Sequence, residues 1–182
     1  SCLWEAGDIL EIRLLHPNEN TTKRSWHTAD ELPDAAASKA VINLAGWNVY
    51  CGANPRERMG AAGDRNVPIA RSLFVDFDDG IDLPKAKARW GEAVIPEPTL
   101  VIDSGHGVHA YWRLRTAFIN LDDWTRSQKR LIGLLNSDKV VHNPERIMRL
   151  PGTMNVKGTP HVPCKILRAD PTRTYDLTSL LP

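Results

Sequence analysis

Cysteine is scarce in this 182-residue chain: Cys2, Cys51 and Cys164 are widely spaced and form no CxxC pair. An odd, scattered set of this kind argues against a disulfide scaffold or a cysteine zinc site and suits a reducing compartment. Long apolar runs are lacking too, and none approaches the roughly 18–20 residues needed to span a bilayer. Residues 1–5 have neither the basic start nor the apolar stretch of a signal peptide, so the expected setting is the cytoplasm, with no membrane partner. Repeats and low-complexity tracts are absent. With 42% hydrophobic and 25% charged residues, the composition is that of a folded domain rather than a disordered one. The length suits one domain or two small lobes.

Net charge is also small, at +1, but it is unevenly spread. Residues 1–103 hold 11 Lys/Arg against 16 Asp/Glu, a net of −5, whereas residues 104–182 hold 12 against 6, a net of +6. Such a split fits a site with an acidic metal-binding wall and a basic phosphate-binding wall, although solvated helix faces produce it as well.

Ile9–Leu15 alternates Leu10, Ile12 and Leu14 with Glu11 and Arg13, the pattern of a half-buried strand. Residues 16–27 are polar and read as a loop. Asp34 can cap a helix that runs to about Leu44 and ends at Gly46. Asn48–Gly52 is a short strand, and residues 54–66 form a Gly- and Arg-rich loop. The apolar run at residues 72–77 reads as a buried strand, and Asp79 beyond it as a turn residue. Asp82 can cap a helix over residues 83–93 that has Pro84 in its first turn. Leu100–Asp103 and residues 108–114 are strands joined by Ser104-Gly105-His106-Gly107. Residues 120–135 form an amphipathic helix with Trp124, Leu131 and Leu135 on one side. Residues 143–152 read as a turn with a short helical or extended piece, residues 164–167 as a last strand and residues 175–181 as a terminal helix. The implied class is α/β or α+β with a mixed sheet.

Three segments carry chemistry. In Phe74-Val75-Asp76-Phe77-Asp78, side chains at i and i+2 share a strand face, so Asp76 and Asp78 project together. Two carboxylates at the end of an apolar strand repel unless a cation sits between them, and hard oxygen ligands suit Mg²⁺ or Mn²⁺. A lone DxD is common, so the pair alone does not separate a metal site from an acidic turn. In Ser104-Gly105-His106-Gly107-Val108-His109, the glycines let backbone approach a ligand. On the outgoing strand His109, Tyr111 and Arg113 share a polar face. In residues 143–157, Arg146, Arg149 and Lys157 gather around Pro151-Gly152-Thr153. Arg146 and Arg149 would share a face if helical, and arginine forks match phosphate oxygens. A tight hairpin and a solvated loop are the plain alternatives for the last two.

Together these segments resemble the archaeo-eukaryotic primase superfamily, the primase–polymerases, in the branch found in plasmid and phage replication proteins. VDFDDG looks like the family's DxD, with Asp76 and Asp78, and SGHGVHAYW like its Ser…His motif, with Ser104 and His109. RIMRLPGTMNVKG looks like the segment that follows the third acid. The motif histidine is His109 or His106, with His109 preferred because it starts the strand; the third acid is Asp138, with Glu145 the second choice. The resemblance implies a catalytic core with an RRM-like sheet over about residues 71–170 and a small N-terminal lobe over about residues 1–70. It implies template-directed nucleotidyl transfer from NTP or dNTP substrates. Asp76, Asp78 and Asp138 would bind two metal ions; Ser104, His109, Arg146, Arg149 and Lys157 would hold the triphosphate; Tyr50 and Asn54 would contact sugar or base. The implied partners are a single-stranded DNA template and, in a longer protein, a helicase or accessory domain. The alternatives are a non-catalytic DNA-binding initiation module, which needs no acid trio, and a two-metal nuclease.

Overall fold

A computed structural model describes residues 2–78 and 80–181; Asp79, read above as a turn residue, lies outside them. The first half contains β1 (Ile9–Leu15), β2 (Thr22–Thr28), α1 (Leu32–Ala37), α2 (Ala40–Leu44), β3 (Asn48–Gly52) and β4 (Ala70–Phe77). The second contains α3 (Leu83–Glu92), β5 (Leu100–Asp103), β6 (Val108–Phe118), α4 (Leu121–Leu135), β7 (Ile147–Arg149), β8 (Met154–Asn155), β9 (Val162–Pro163), β10 (Lys165–Ala169) and α5 (Leu177–Leu180).

The alternation in β1 buries Leu10, Ile12 and Leu14 against Leu32 and Ala35 of α1 and leaves Glu11 and Arg13 on the other face. The first sheet has the order β2-β1-β3-β7. Here the expected loop at residues 16–27 is corrected, because β2 pairs with β1 along its whole length. As an edge strand it buries little on either face, so it shows no hydrophobic alternation, and the backbone ladder alone defines it. The single helix expected over residues 34–44 is two short ones. Glu31 occupies the N-cap position, Pro33 lies in the first turn and Asp34 falls inside it, so Asp34 is not the cap.

The second sheet has the order β10-β5-β6-β4. From β4, α3 crosses over to β5, and β6 pairs between the two strands, a split βαβ unit. This gives the expected α+β class. Every named ladder is antiparallel, so the sheets are not the mixed type expected. Asp82 caps α3 by accepting from the Lys85 N–H at 3.0 Å, and the Asn120 side chain caps α4. Trp124, Leu131 and Leu135 of α4 are buried with Phe74, Trp90 and Trp112 in the main core. Each such side chain contributes roughly 1.5–3 kcal/mol by burial.

Sequence distance does not divide the sheets. β7, from residues 147–149, completes the sheet otherwise built from residues 9–52, while β4 lies in the other sheet. His109, Tyr111 and Arg113 share one face of β6 as expected, with no register shift between them, but only His109 lines the cavity described below. Tyr111 is buried in the core, and Arg113 reaches Glu5 at 3.0 Å. Among the described residues no helix is long and apolar enough to cross a membrane.

Candidate active site

Three backbone events bring the acids together. β4 carries Asp76 and delivers Asp78 just beyond its end. α4 stops at Asn136, whose left-handed backbone (φ 46°) turns the chain. The Asp138 N–H then donates to the Asp76 carbonyl at 2.9 Å. Gln128 secures the arrangement from beneath: fully buried on α4, it accepts from the Phe74 N–H at 3.1 Å and donates to the carbonyls of Phe74 (2.6 Å) and Val141 (2.9 Å). The strand bearing Asp76 and the loop bearing Asp138 thus share one anchor.

One carboxylate oxygen each from Asp76, Asp78 and Asp138 lies within 4.8 Å of the others. Burial, and then the Asp138 charge, push the Asp76 carboxyl up to about 6. Its Oδ1 is buried without a hydrogen bond. Three clustered carboxylate oxygens, one of them buried without a hydrogen bond, are a donor set suited to a hard divalent cation, so the trio could hold a metal ion. Glu145, the second choice for third acid, is elsewhere; its carboxylate accepts from Arg13 at 2.7 Å.

The same cavity, of about 300 Å³, is lined by Ser104, His109, Arg146, Arg149, Lys157 and Tyr50 as well as by the three acids. His109 stands opposite Asp76 in the β4–β6 register, with Nε2 3.5 Å from Asp76 Oδ1. Burial, reinforced by Arg149, pushes its imidazole down to about 4, so it is neutral at pH 7. His106 also lines the cavity, but it is exposed at the hairpin tip, where Nε2 bonds the Lys157 carbonyl at 3.0 Å. The tip packs tightly: a Cβ on Gly107 would lie 2.0 Å from the Phe77 carbonyl oxygen.

Arg146 and Arg149 do not share a helix face, because residues 147–149 pair with β3 as a strand; both still reach the cavity. Arg149 lies over the Tyr50 ring, 5.0 Å from its centroid, and Arg146 donates to the Val140 carbonyl. Among the described residues no carboxylate lies within ion-pair distance of Arg146, Arg149 or Lys157. The cavity therefore presents an acidic wall and an unneutralised basic wall. Asn54 does not join it. It is fully buried, donating to the Pro144 carbonyl at 3.1 Å, so its amide secures a loop rather than facing a ligand.

Asn48, Asn155 and Gln128 hold the site together although the sequence reading assigned them no role in it. Asn155 is buried and donates to the Ser104 carbonyl at 2.9 Å while accepting from the Lys157 N–H at 3.0 Å, which ties the two turns together. The available signal was weak: a polar residue at one end of a strand or inside an apolar helix stripe.

No family model matches the chain, and no curated protein matches it. Solved structures do. The AEP domain of the cyanophage S-2L primase–polymerase (PrimPol) superposes with a TM-score of 0.76 at 24% identity, covering 100% of this chain and 93% of that one. Primase RepB′ gives 0.68 at 18% identity over 95% of this chain; the match spans 55% of that protein, about half its length. The catalytic domain of primase RepB′ in complex with initiator DNA gives 0.69 at 17% identity, covering 95% of this chain and 83% of that one. The chain therefore has the fold of these primase and primase–polymerase domains.

Proposed function

We propose that this chain is a DNA primase–polymerase core, which joins nucleoside triphosphates into a primer, or extends one, along a single-stranded template with release of pyrophosphate. The observation that carries this reading is the facing of two walls in one cavity: three clustered carboxylates and, among the described residues, three cations without ion-pair partners. The primase fold supports it.

Asp76, Asp78 and Asp138 are the residues that would hold Mg²⁺ or Mn²⁺, two ions in this reading. Bound there, the metal supplies a lowered pKa for the attacking 3′-hydroxyl and neutralisation of charge on the triphosphate. The protein's part is positioning and electrostatics. Arg149, Lys157 and Arg146 offer positive charge to phosphate oxygens, with Arg149 braced on Tyr50. Neutral His109 acts as a hydrogen-bond donor rather than a cation, and the Ser104 hydroxyl adds a second neutral donor. Tyr50 lines the cavity wall and in this reading contacts the sugar or base. The basic second half of the chain serves the template as well as the nucleotide.

The test is primer extension with Mn²⁺ or Mg²⁺, a single-stranded template and each nucleotide type. The Asp76→Ala/Asp78→Ala double variant is expected to lose incorporation by orders of magnitude while still folding. Incorporation above about a tenth of the unsubstituted level would sink the metal assignment. Degraded template in place of extended product would favour the nuclease, and DNA binding without either reaction the non-catalytic module.

A further inference from the structure

The arginines outside the cavity are mostly paired with carboxylates: Arg13 and Arg56 with Glu11, Arg71 with Asp8, Arg113 with Glu5, Arg168 with Glu97. Arg149 is handled differently. Its fixed contacts are both neutral: the Tyr50 ring and the side-chain carbonyl of Asn48, which accepts from Nη1 at 2.5 Å. Asn48 opens β3, is only 4% exposed, and also accepts from the Val156 N–H at 3.0 Å. One buried amide oxygen thus joins the guanidinium on β7 to the backbone that leads into Lys157. A guanidinium has five N–H donors, so one bond to a neutral acceptor orients it and leaves most of its fork and all of its charge for a ligand. A carboxylate at the same place would hold the fork equally well while cancelling the charge that an anion needs.

We infer that Asn48 is a positioning residue for triphosphate recognition, and that its role requires a neutral side chain. It orients Arg149 toward the phosphate oxygens without neutralising it and keeps the Arg149 and Lys157 segments in register. This rests on the reading of the cavity as a nucleoside-triphosphate site. It makes Asn48 distinct from a residue that merely stabilises β3, because charge and shape can be separated experimentally.

The decisive variant is Asn48→Asp. It keeps the acceptor oxygen for both Arg149 and Val156, changes volume little and adds one negative charge. Binding of a fluorescent nucleoside triphosphate with Mn²⁺ is measured by anisotropy, beside thermal melting, for the full chain, N48D, Arg149→Ala and the double variant. N48D is expected to melt near the unsubstituted protein, since its new ion pair offsets part of the burial of charge. It is expected to bind the triphosphate at least about tenfold more weakly, as the introduced carboxylate competes with the phosphate for one cation. Because Asn48 acts through Arg149, the charge change has little further effect in the R149A background. If N48D does not fold, Asn48→Ala carries the test. It frees the guanidinium, and the affinity falls about threefold or more. Undiminished affinity in N48D, or in N48A where N48D does not fold, with R149A weakened, overturns the positioning role and leaves the reading of the cavity standing. Undiminished affinity in R149A as well overturns that reading and this inference with it.

Discussion

Replacing Asp76 by Asn should make the metal-free protein more stable at neutral pH while removing its response to metal. In the folded chain burial and the Asp138 charge raise the Asp76 carboxyl from 3.8 to about 6. Two units at about 1.4 kcal/mol each correspond to about 3 kcal/mol of destabilisation once the group is ionised. A raised folded-state pKa means that the native state holds a proton the unfolded chain has released. Stability from this group is therefore full below about pH 4 and lost as pH rises through about 6. His109 works in the opposite sense over the same window. Its imidazole is lowered from 6.5 to about 4, so its contribution is full above pH 6.5 and lost as pH falls toward 4. The two slopes nearly cancel between pH 4 and 6. In a chelator, the unsubstituted protein should thus show little pH dependence from this pair. Asp76→Asn exposes the histidine slope and rises in stability from pH 4 to 6.5. At pH 7.5 it should melt roughly 6–12 °C higher than the unsubstituted protein, on the usual 2–4 °C per kcal/mol for a chain of this size. Near pH 4 the two should coincide. Adding Mn²⁺ should raise the melting temperature of the unsubstituted protein and leave the variant nearly unmoved. Calorimetry across pH, with chelator and with Mn²⁺, measures all of this. A variant at or below the unsubstituted melting temperature at pH 7.5 without metal would refute the burial of the Asp76 carboxylate beside the Asp138 charge on which this reasoning rests.

Gly107→Ala places a Cβ against the Phe77 carbonyl oxygen, so either the β4 end or the hairpin tip must move. A loss of about 1–3 kcal/mol or more in urea denaturation is expected, and an unchanged midpoint would contradict the close packing. Gln128→Leu leaves the Phe74 N–H and the Phe74 and Val141 carbonyls without their partner. It should cost about 3 kcal/mol and weaken Mn²⁺ binding, and an isothermal titration with unaltered metal affinity would separate Gln128 from the site. Binding to single-stranded DNA should weaken with salt by roughly two to four phosphates' worth of slope, at about 0.7 per phosphate. A flat response across an anisotropy salt series would assign the basic half to the nucleotide alone.

The parts of this protein that were legible in its residues are those decided by local chemistry. The apolar run into Asp76-Phe77-Asp78 specified a buried strand with two carboxylates at its end, and the cap at Asp82 and the apolar side formed by Trp124, Leu131 and Leu135 marked two helices. The glycines around His106 marked a tight hairpin. What stayed illegible has no local signature. β2 is an edge strand recognised by its ladder rather than by its side chains, and residues 147–149 are a strand because β3 offers them a free edge. Asn54 looked like a ligand contact because an asparagine in a loop carries no mark of burial, and only packing around Pro144 gives it a structural role. Above all, the basic segment reaches the acids because β7 crosses to the first sheet while β4 stays in the second, so that two walls distant in sequence face one another. Side-chain chemistry is written residue by residue, but the pairing of opposite charges across a cavity depends on long-range strand order, which only the folded chain determines.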